Sequence, residues 1–237
     1  ATVDNTAGDL KISSGSKIVT AVETKREILV FTDTALYSMQ FIGPPDTFGI
    51  TLVSEGITVQ SPLSVIAVED NVFWMGQNEF YVYNGQVQKV PCTVRDFVFS
   101  DFNTMQAEKV FGSINSGFSE VWWYYPTADS LENNRYVVFN YLQNAWYIGT
   151  LNRTAWVDRG VNTTPIAAST DYYLYNHELG DDDGSTNPVS AISAHIESSQ
   201  MDIGDGNQFT FISRIIPDLT FRNSANGAGA TLTLKTR

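Results

Sequence analysis

Alternation of apolar and polar residues, rather than helical spacing, dominates the chain. The densest example is "EVWWYYP", residues 120–126, in which four aromatic residues follow one another. Neighbouring side chains of a β-strand point to opposite faces, so Trp122 and Tyr124 would cover one face and Trp123 and Tyr125 the other. Aromatic residues between a valine and a proline favour a strand over a helix. The segment therefore predicts a strand that is largely buried on both faces.

Three segments of the sequence repeat one hairpin pattern. They are "ILVFTDTALYSM" (28–39), "VFWMGQNEFYVY" (72–83) and "TPIAASTDYYLY" (164–175). Each runs through apolar residues, turns at small polar residues and resumes with a large apolar residue followed by tyrosine, which is typical of a β-hairpin. A fourth, looser copy is "YVVFNYLQNAWYIG" (136–149), in which "LQNA" is the predicted turn.

The spacing of these copies predicts a β-propeller or part of one. The matched tyrosines are Tyr37, Tyr81 and Tyr173, and the first two lie 44 residues apart, within the period of roughly 40 to 50 residues that marks propeller blades. Blades are small antiparallel sheets arranged radially, so a strand inside one blade lies between two neighbouring blades. The strand at 120–126 would pair with "RYVVFNY" through the loop "TADSLENN". A two-layer β-sandwich is the alternative interpretation.

One stretch breaks the β pattern and predicts one or two helical turns between blades. Its apolar residues, at spacings of four, four and three, are Val94, Val98, Phe102 and Met105. This is a helical stripe, and Asp101 or Asn103 could cap a second short helix.

The predicted domain organisation is an all-β chain with propeller blades over residues 1–200 and a strand pair over 201–237. In the second part, "FTFISRIIPDLTF" and "GATLTLKTR" alternate on either side of the flexible "RNSANGAG". We expect this pair to begin a further β module. The sequence starts without methionine and stops within an alternating strand, which indicates a piece of a longer protein.

Composition narrows the class of protein. The chain is 43% hydrophobic and 17% charged, which is too apolar for a disordered chain, and its apolar runs are too short for a membrane span of about 20 residues. Asp and Glu number 26 against 14 Lys and Arg, for a formal net charge of −12. The basic residues are scattered singly, so the sequence argues against a surface that binds phosphate groups.

Isolated residues that could take part in chemistry have simple structural interpretations. Cys92 is the single cysteine, which excludes an internal disulfide, and we interpret it as a small buried apolar side chain. His177 and His195 have no second histidine or cysteine at ligand spacing, so no zinc site is predicted. The sequons at Asn152 and Asn162 are interpreted as polar turn residues.

The carboxylates suggest two kinds of site, a calcium loop and a glycoside-hydrolase pair, and the sequence argues against both. The aspartates of "GDDDGS" (180–185) are adjacent, whereas a calcium loop needs ligands at alternating positions, so we expect a solvated acidic turn. Glycoside-active propellers use a pair of carboxylates facing the tunnel, for which the candidates are Asp129, Glu132, Asp158, Glu178 and Asp181. None lies in a recognisable motif. We therefore expect no catalytic residue, no cofactor-binding residue and no metal ligand.

Long phrases of the sequence resemble a family of phage virion proteins. The phrases are "PCTVRDFVFSDFN", "SEVWWYYPTADSLENNRYVVFNYLQNAWYIGTLNRTAWVDRG" and "PIAASTDYYLYNHELG". They are similar to the packaged-DNA stabilisation proteins of short-tailed phages (podoviruses), also known as tail nozzle proteins or the tail tubular protein B family. The resemblance extends over nearly the whole chain, which is shorter than the members of that family.

The resemblance implies a structural virion protein and not an enzyme. Members are similar to a propeller-bearing nozzle subunit that forms a closed homo-oligomeric ring, a hexamer, in the virion tail after assembly in the host cytoplasm. The implied partners are other copies of the chain, tail adaptor or portal-proximal proteins, tail fibre or needle proteins, and packaged DNA that passes through the lumen without tight binding. The resemblance also implies that the protein has no membrane partner in the mature particle and needs no cofactor.

The acidic balance suits such a conduit, although solubility alone also explains it. Lysines and arginines on the wall would bind the phosphates of DNA, whereas carboxylates repel the duplex. The alternative function is a carbohydrate-binding or glycan-hydrolysing β-propeller used for surface attachment, in which exposed aromatic residues and carboxylates line a pocket.

Overall fold

The computed structural model describes residues 8–180 and, beyond them, residues 182–183, 188, 190–191, 211–216, 218 and 232–233. The chain divides into two units, Ala1–Gly180 and Asp181–Arg237. The predicted strand pair at 201–237 lies almost wholly outside the described residues, so the boundary after residue 200 stays a prediction. In the second unit the described residues include one strand pair, Asp182–Asp183 with Ser190–Ala191.

The first unit contains four antiparallel sheets, and in each the neighbouring strands follow one another along the chain. Sheet I is formed by β1 (Ile18–Glu23), β2 (Ile28–Thr32), β3 (Ala35–Gly43) and β4 (Thr47–Glu55). Sheet II is formed by β5 (Val65–Val68), β6 (Asn71–Met75), β7 (Phe80–Tyr83) and β8 (Val87–Val90). Sheet III is formed by β9 (Phe111–Asn115), β10 (Glu120–Tyr125), β11 (Arg135–Asn140) and β12 (Ala145–Thr150). Sheet IV is formed by β13 (Ala155–Val157), β14 (Ile166–Ala168) and β15 (Leu174–Asn176). The all-β class predicted from the sequence is confirmed.

The three strong sequence repeats are hairpins of equivalent position. They form β2–β3, β6–β7 and β14–β15, the second and third strands of their sheets. The fourth, looser copy also forms the predicted hairpin, β11–β12, but these are the third and fourth strands of sheet III, so its position differs from that of the other copies. The equivalent pair is β10–β11, and the long loop at residues 126–134 between these strands hides the match.

The sheets recur at an even spacing, and each first strand contacts the first strand of the next sheet. The first strands begin at residues 18, 65, 111 and 155, so successive sheets start 47, 46 and 44 residues apart. The contacts join β1 to β5, β5 to β9 and β9 to β13. Gly112 of β9 lies so close to Ile66 of β5 that a Cβ atom there would overlap the isoleucine side chain.

Strand alternation gives sheet II two apolar faces, one for each neighbouring sheet. On one face Trp74 packs against Phe31 of sheet I, with ring centroids 5.1 Å apart. On the other face Phe80 packs against Trp123 of sheet III, with centroids 5.0 Å apart. Because neighbouring residues of a strand point to opposite faces, a sheet between two others needs apolar residues at successive positions, as at residues 72–75 of β6.

The aromatic strand β10 occupies the predicted double-faced position. It lies inside sheet III, between β9 and β11. Trp123, Tyr124 and Tyr125 are at most 1% exposed, and Trp122 is half-buried. The prediction of largely buried faces is confirmed, with Trp122 as the least covered member.

Indole groups join neighbouring parts of the fold through backbone carbonyls. The acceptors are the carbonyl oxygens of Thr58 for Trp74, Ser64 for Trp123, Pro91 for Trp146 and Ile114 for Trp156, all at 2.8 to 3.1 Å. A buried indole N–H without an acceptor would be costly, so these bonds fix each ring against the neighbouring segment.

The predicted helical stretch forms α1 (Arg95–Ser100) and a 3₁₀ segment (Thr104–Lys109). Asn103 caps the second segment, since its side-chain oxygen accepts a hydrogen bond from the Met105 amide at 3.1 Å. No helix among the described residues is long and apolar enough to cross a membrane.

Candidate functional site

A cluster of polar and aromatic side chains lies between sheets III and IV. We call it the inter-sheet cluster and define it by Glu120, Trp122, Tyr124, Arg153, Trp156, His177 and Glu178. Strand β10 supplies the first three, and the remaining four come from sheet IV and the residues that flank it. The cluster thus brings together carboxylates, a guanidinium group, an imidazole and two indoles.

An aromatic layer forms the wall of the cluster. The Trp122 ring stacks on Trp156, with centroids 5.7 Å apart, and lies 4.7 Å from the ring of Tyr136. Gly149 of β12 lies opposite Tyr136 and leaves room for it, because a Cβ atom at this position would overlap the phenol. The wall follows from alternation, which turns Trp122 and Tyr124 toward sheet IV while Trp123 faces sheet II.

Arg153 is the buried cation of the cluster. Its side chain is held by Nε, which donates to Nε2 of His177 at 2.9 Å, and by Nη1, which donates to the Asn152 carbonyl at 2.7 Å. The guanidinium carbon lies 4.4 Å from the centre of the Tyr175 ring, a cation–π contact. Arg153 is 8% exposed, and this burial lowers its pKa. Among the described residues it forms no ion pair with a carboxylate.

His177 is the acceptor that holds this guanidinium. Burial, and then the charge of Arg153, lower the pKa of His177 from 6.5 to about 4. The imidazole is therefore neutral at pH 7, and because Nε2 accepts from Arg153, its proton lies on Nδ1. The ring also packs on Trp156, with centroids 4.7 Å apart. His177 thus serves as a hydrogen-bond acceptor and is not available as a cation near neutral pH.

Two carboxylates border the cluster. Glu120 accepts a hydrogen bond from Nε1 of Trp122 at 2.9 Å, and Glu178 accepts one from Nδ2 of Asn115 at 3.1 Å. Burial, and to a lesser extent the charge of Glu178, raise the pKa of Glu120. Burial also raises the pKa of Tyr124, whose hydroxyl is buried without a hydrogen bond to the described protein groups.

The carboxylates singled out from the sequence are only partly brought together. Glu178 joins the cluster, and Asp158 lies near the same end of sheet III, where it accepts from the Ser116 amide at 3.3 Å. Asp129 and Glu132 belong to the loop after β10, at the opposite end of that strand from Glu120. Glu132 is paired there with Lys109. Asp181 and His195 lie outside the described residues.

Sequence reasoning missed Glu120 and Arg153. Neither belongs to a motif, and Arg153 looks like an ordinary loop residue because nothing in its local sequence signals burial. A partial signal for Glu120 was its position two residues before Trp122, because residues two apart in a strand share a face. Its carboxylate accepts a hydrogen bond from Trp122, which the sequence placed on the face opposite Trp123.

The other predicted residues have modest roles. Cys92 is half-buried against the core between sheets II and III, and burial raises the pKa of its thiol to about 11, in keeping with an apolar interpretation. Asn152 and Asn162 are exposed and lie outside strands. Asp182 and Asp183 form the short β16, paired with β17 (Ser190–Ala191). In the described part of the chain, no three histidine, cysteine, aspartate or glutamate residues converge as a metal site would require.

Two shallow surface depressions lie away from the polar centre of the cluster. One, of about 300 Å³, is beside α1 and is lined by Asn78, Arg95, Asp96, Phe99 and Ser100. The other, of about 250 Å³, lies on sheet IV and includes Ala155, Val157 and Leu174. Glu120, Glu178 and Arg153 line neither depression, so the cluster resembles a packed junction more than a ligand pocket.

No protein-family model matches this chain, and no curated protein does. Among solved structures, it is similar to a plant lectin with two metal-binding sites from Cicer arietinum, with a TM-score of 0.33, 11% identity and coverage of 74% of this chain and 93% of the lectin. It is also similar to a chain in a Saccharomyces cerevisiae structure of dbp5 bound to nup159 and gle1, with a TM-score of 0.28, 10% identity and coverage of 79% of this chain and 65% of that one.

Proposed function

We propose that the four sheets of residues 18–176 are successive blades of a β-propeller, or of an arc of one. Their spacing of 44 to 47 residues and their four-stranded meanders, with three strands in sheet IV, fit propeller blades. The contacts between first strands carry the proposal, because in a propeller these strands line the central channel and meet their neighbours there. A two-layer sandwich would instead pack whole sheets face to face in a single pair.

On this fold we propose a structural role, as a subunit of the tail nozzle ring of a short-tailed phage. The ring would conduct and retain packaged DNA and would support tail fibres or a needle. The proposal rests on the resemblance of the phrases, which include α1 and the strands β10–β15, together with the series of linked sheets. Fold alone does not specify function. The functional proposal therefore comes from the resemblance of the sequence phrases, and the geometry supports the fold.

The distribution of charge supports a conduit that does not bind DNA tightly. Ion pairs with carboxylates engage Lys25, Lys89, Arg95, Lys109 and Arg135, and Arg153 is buried against His177. These six of the 14 basic residues are therefore occupied within the protein. Phosphate binding depends on free cations that can displace counterions.

Ring formation tests the nozzle proposal. The full-length protein is mixed with its adaptor and fibre neighbours and imaged by negative-stain electron microscopy, and its mass is measured in parallel. We expect closed rings that bind the neighbours. A protein that stays monomeric and hydrolyses or binds a surface glycan would refute the nozzle assignment.

One observation favours the alternative function of glycan binding or hydrolysis. Glu120 and Glu178 lie in the same cluster, and the raised pKa of Glu120 is the property expected of a general acid paired with an ionised carboxylate. Trp122 would add an aromatic surface. The test is hydrolysis and binding of surface glycans by the wild type and by Glu120→Gln. Loss of either activity in the variant, with unchanged folding, would support the alternative.

A further inference from the structure

The turn between β7 and β8 contains an asparagine followed directly by a glycine. Asn84, Gly85 and Gln86 form this turn, between the paired residues Tyr83 and Val87. Gly85 has a φ angle of +102°, in the left-handed region that favours glycine, and Asn-Gly is a frequent turn sequence in hairpins. Of the asparagines that the structure describes, Asn84 is the one that precedes a glycine.

Asn84 and Gly85 are both exposed to solvent. The Asn84 N–H donates to the Gln86 carbonyl at 3.3 Å, whereas the Gly85 N–H donates to no backbone carbonyl among the described residues. No atom beyond the chain neighbours of Gly85 lies within 4 Å of the place that a Cβ would occupy. Other asparagines have side-chain amides whose Nδ2 atoms donate hydrogen bonds of 2.7 to 3.1 Å, among them Asn103, Asn115, Asn133, Asn134 and Asn140. The Asn84–Gly85 pair is therefore less restrained than these asparagines.

A side-chain amide in this position can react with the backbone of the next residue. The Gly85 nitrogen loses its proton to hydroxide and attacks Cγ of Asn84, so that a C–N bond forms, the Cγ–Nδ2 bond breaks and ammonia leaves with a proton from water. The product is a five-membered succinimide ring. Water then adds to either ring carbonyl and opens the ring, which yields aspartate or isoaspartate. Glycine favours ring closure because it has no Cβ to obstruct the approach of the nitrogen.

We propose that Asn84 is a self-modification site, at which the folded chain deamidates with Gly85 as the attacking residue. Water is the only co-reactant, and the net change is one water consumed and one ammonia released. No enzyme and no bound group takes part. This modification is independent of the proposed nozzle function, so each stands if the other fails.

Both products alter the surface at the β7–β8 turn. Each adds one carboxylate, which makes the formal net charge of −12 more negative by one. Isoaspartate also places one extra methylene in the backbone, which lengthens the connection between Tyr83 and Val87. The Tyr83 hydroxyl donates to Glu27 of the β1–β2 turn at 2.6 Å, so the longer turn adjoins a contact between sheets I and II. The modified chains therefore differ from the original in charge and, for isoaspartate, in the length of this turn.

Peptide mapping by mass spectrometry tests the site in the whole 237-residue chain, kept folded at mildly alkaline pH. Fragment spectra should place a mass gain of one dalton on Asn84, with isoaspartate accumulating beside aspartate. The rate should rise with pH, since the attacking nitrogen must lose its proton. Asn115 and Asn140, whose amides are hydrogen-bonded, should stay unmodified over the same period. Fragment spectra also separate Asn84 from Asn226, which precedes a glycine outside the described residues.

Two variants and an unfolded reference complete the test. Asn84→Gln should abolish the mass gain in the turn, because the longer side chain does not form the five-membered ring. Gln86→Ala keeps the Asn-Gly pair in the same turn and should deamidate as the wild type does. The folded wild type should react at Asn84 within about tenfold of the rate in the urea-unfolded chain, because the fold leaves both groups exposed. A folded chain that reacts more slowly than this, or an Asn84→Gln variant that gains mass in this turn at the wild-type rate, would overturn the proposal.

Discussion

Strand β10 separates two interfaces that are built differently. Toward sheet II, Trp123 and Tyr125 join a dry core with Phe80 and Val137. Toward sheet IV, Trp122 stacks on Trp156 and donates to Glu120, in the cluster that also holds Arg153 and His177, and it remains half-buried. The first interface is stabilised by removal of apolar surface from water, and the second by oriented hydrogen bonds and ring contacts that keep a buried cation satisfied.

This difference shows which interface of the fold can hold charged side chains. A dry interface excludes charge, because an unpaired buried charge is very costly. The junction between sheets III and IV accommodates Arg153 because His177 is neutral and the Tyr175 ring faces the guanidinium. Similar groups would serve catalysis in other proteins, but here the hydrogen bonds of Arg153 go to His177 and Asn152, which flank sheet IV.

The largest effect should come from the dry side. We expect Trp123→Ala to lower the free energy of unfolding by about 3 to 5 kcal/mol, because a fully buried indole is replaced by a cavity. Trp122→Ala should cost about 1 to 3 kcal/mol, since part of that ring is already in water. Urea unfolding of both variants measures the difference. Equal losses of unfolding free energy at the two positions would contradict the difference in burial between the two faces of β10.

Removal of the buried cation is expected to have the next largest effect. Arg153→Ala takes away the donor to His177 and the contact with Tyr175, and we expect a loss of about 2 to 3 kcal/mol. Arg153→Met keeps much of the packing and removes the desolvated charge, so it should cost less. Arg26→Ala, at an exposed position, is the control and should change stability by about 0.5 kcal/mol or less. An Arg153→Met variant less stable than Arg153→Ala would contradict this account, because both variants lack the charge and only methionine keeps much of the packing.

The pH dependence of stability should expose His177. Its pKa is about 4 when folded and 6.5 as a reference for the unfolded chain. The unfolded chain therefore binds more protons between these values, so this contribution is complete above about pH 6.5 and is lost as the pH falls toward 4. His177→Gln retains an acceptor for Arg153 without titrating. Between pH 7.5 and pH 5 the melting temperature should fall less in this variant than in the wild type. His195→Gln is the histidine control.

Much of the fold could be predicted because its information is local. Alternation identified the hairpins β2–β3, β6–β7 and β14–β15, and the helical stripe identified α1 with its Asn103-capped neighbour. The fourth hairpin was predicted too, but similarity to the pattern does not tell which strands of a sheet a hairpin occupies, and this one forms the third and fourth strands. The exposure of Tyr173, which precedes β15, shows the same limit for a single matched residue.

The inter-sheet cluster could be predicted only in part because it is assembled by tertiary contact. Arg153 and His177 are 24 residues apart, and Asn115 and Glu178 are 63 residues apart. No local pattern links such positions. The extension of the β3–β4 hairpin beyond the end of β2 was missed for a related reason, since alternation predicts a strand but does not reveal that its neighbour stops earlier.

The smallest expected effect is in the binding of duplex DNA. Its measurement is also the most direct test of the proposed conduit that does not bind DNA tightly. Fluorescence anisotropy with a labelled duplex at about 150 mM salt measures it, because non-specific binders typically have dissociation constants of about 1 to 100 µM under such conditions. With 26 acidic against 14 basic residues and most described cations engaged within the protein, we predict no saturation below about 100 µM. Micromolar binding that weakens steeply with added salt would contradict the account, because it would require a concentrated basic surface and would make the chain a DNA clamp.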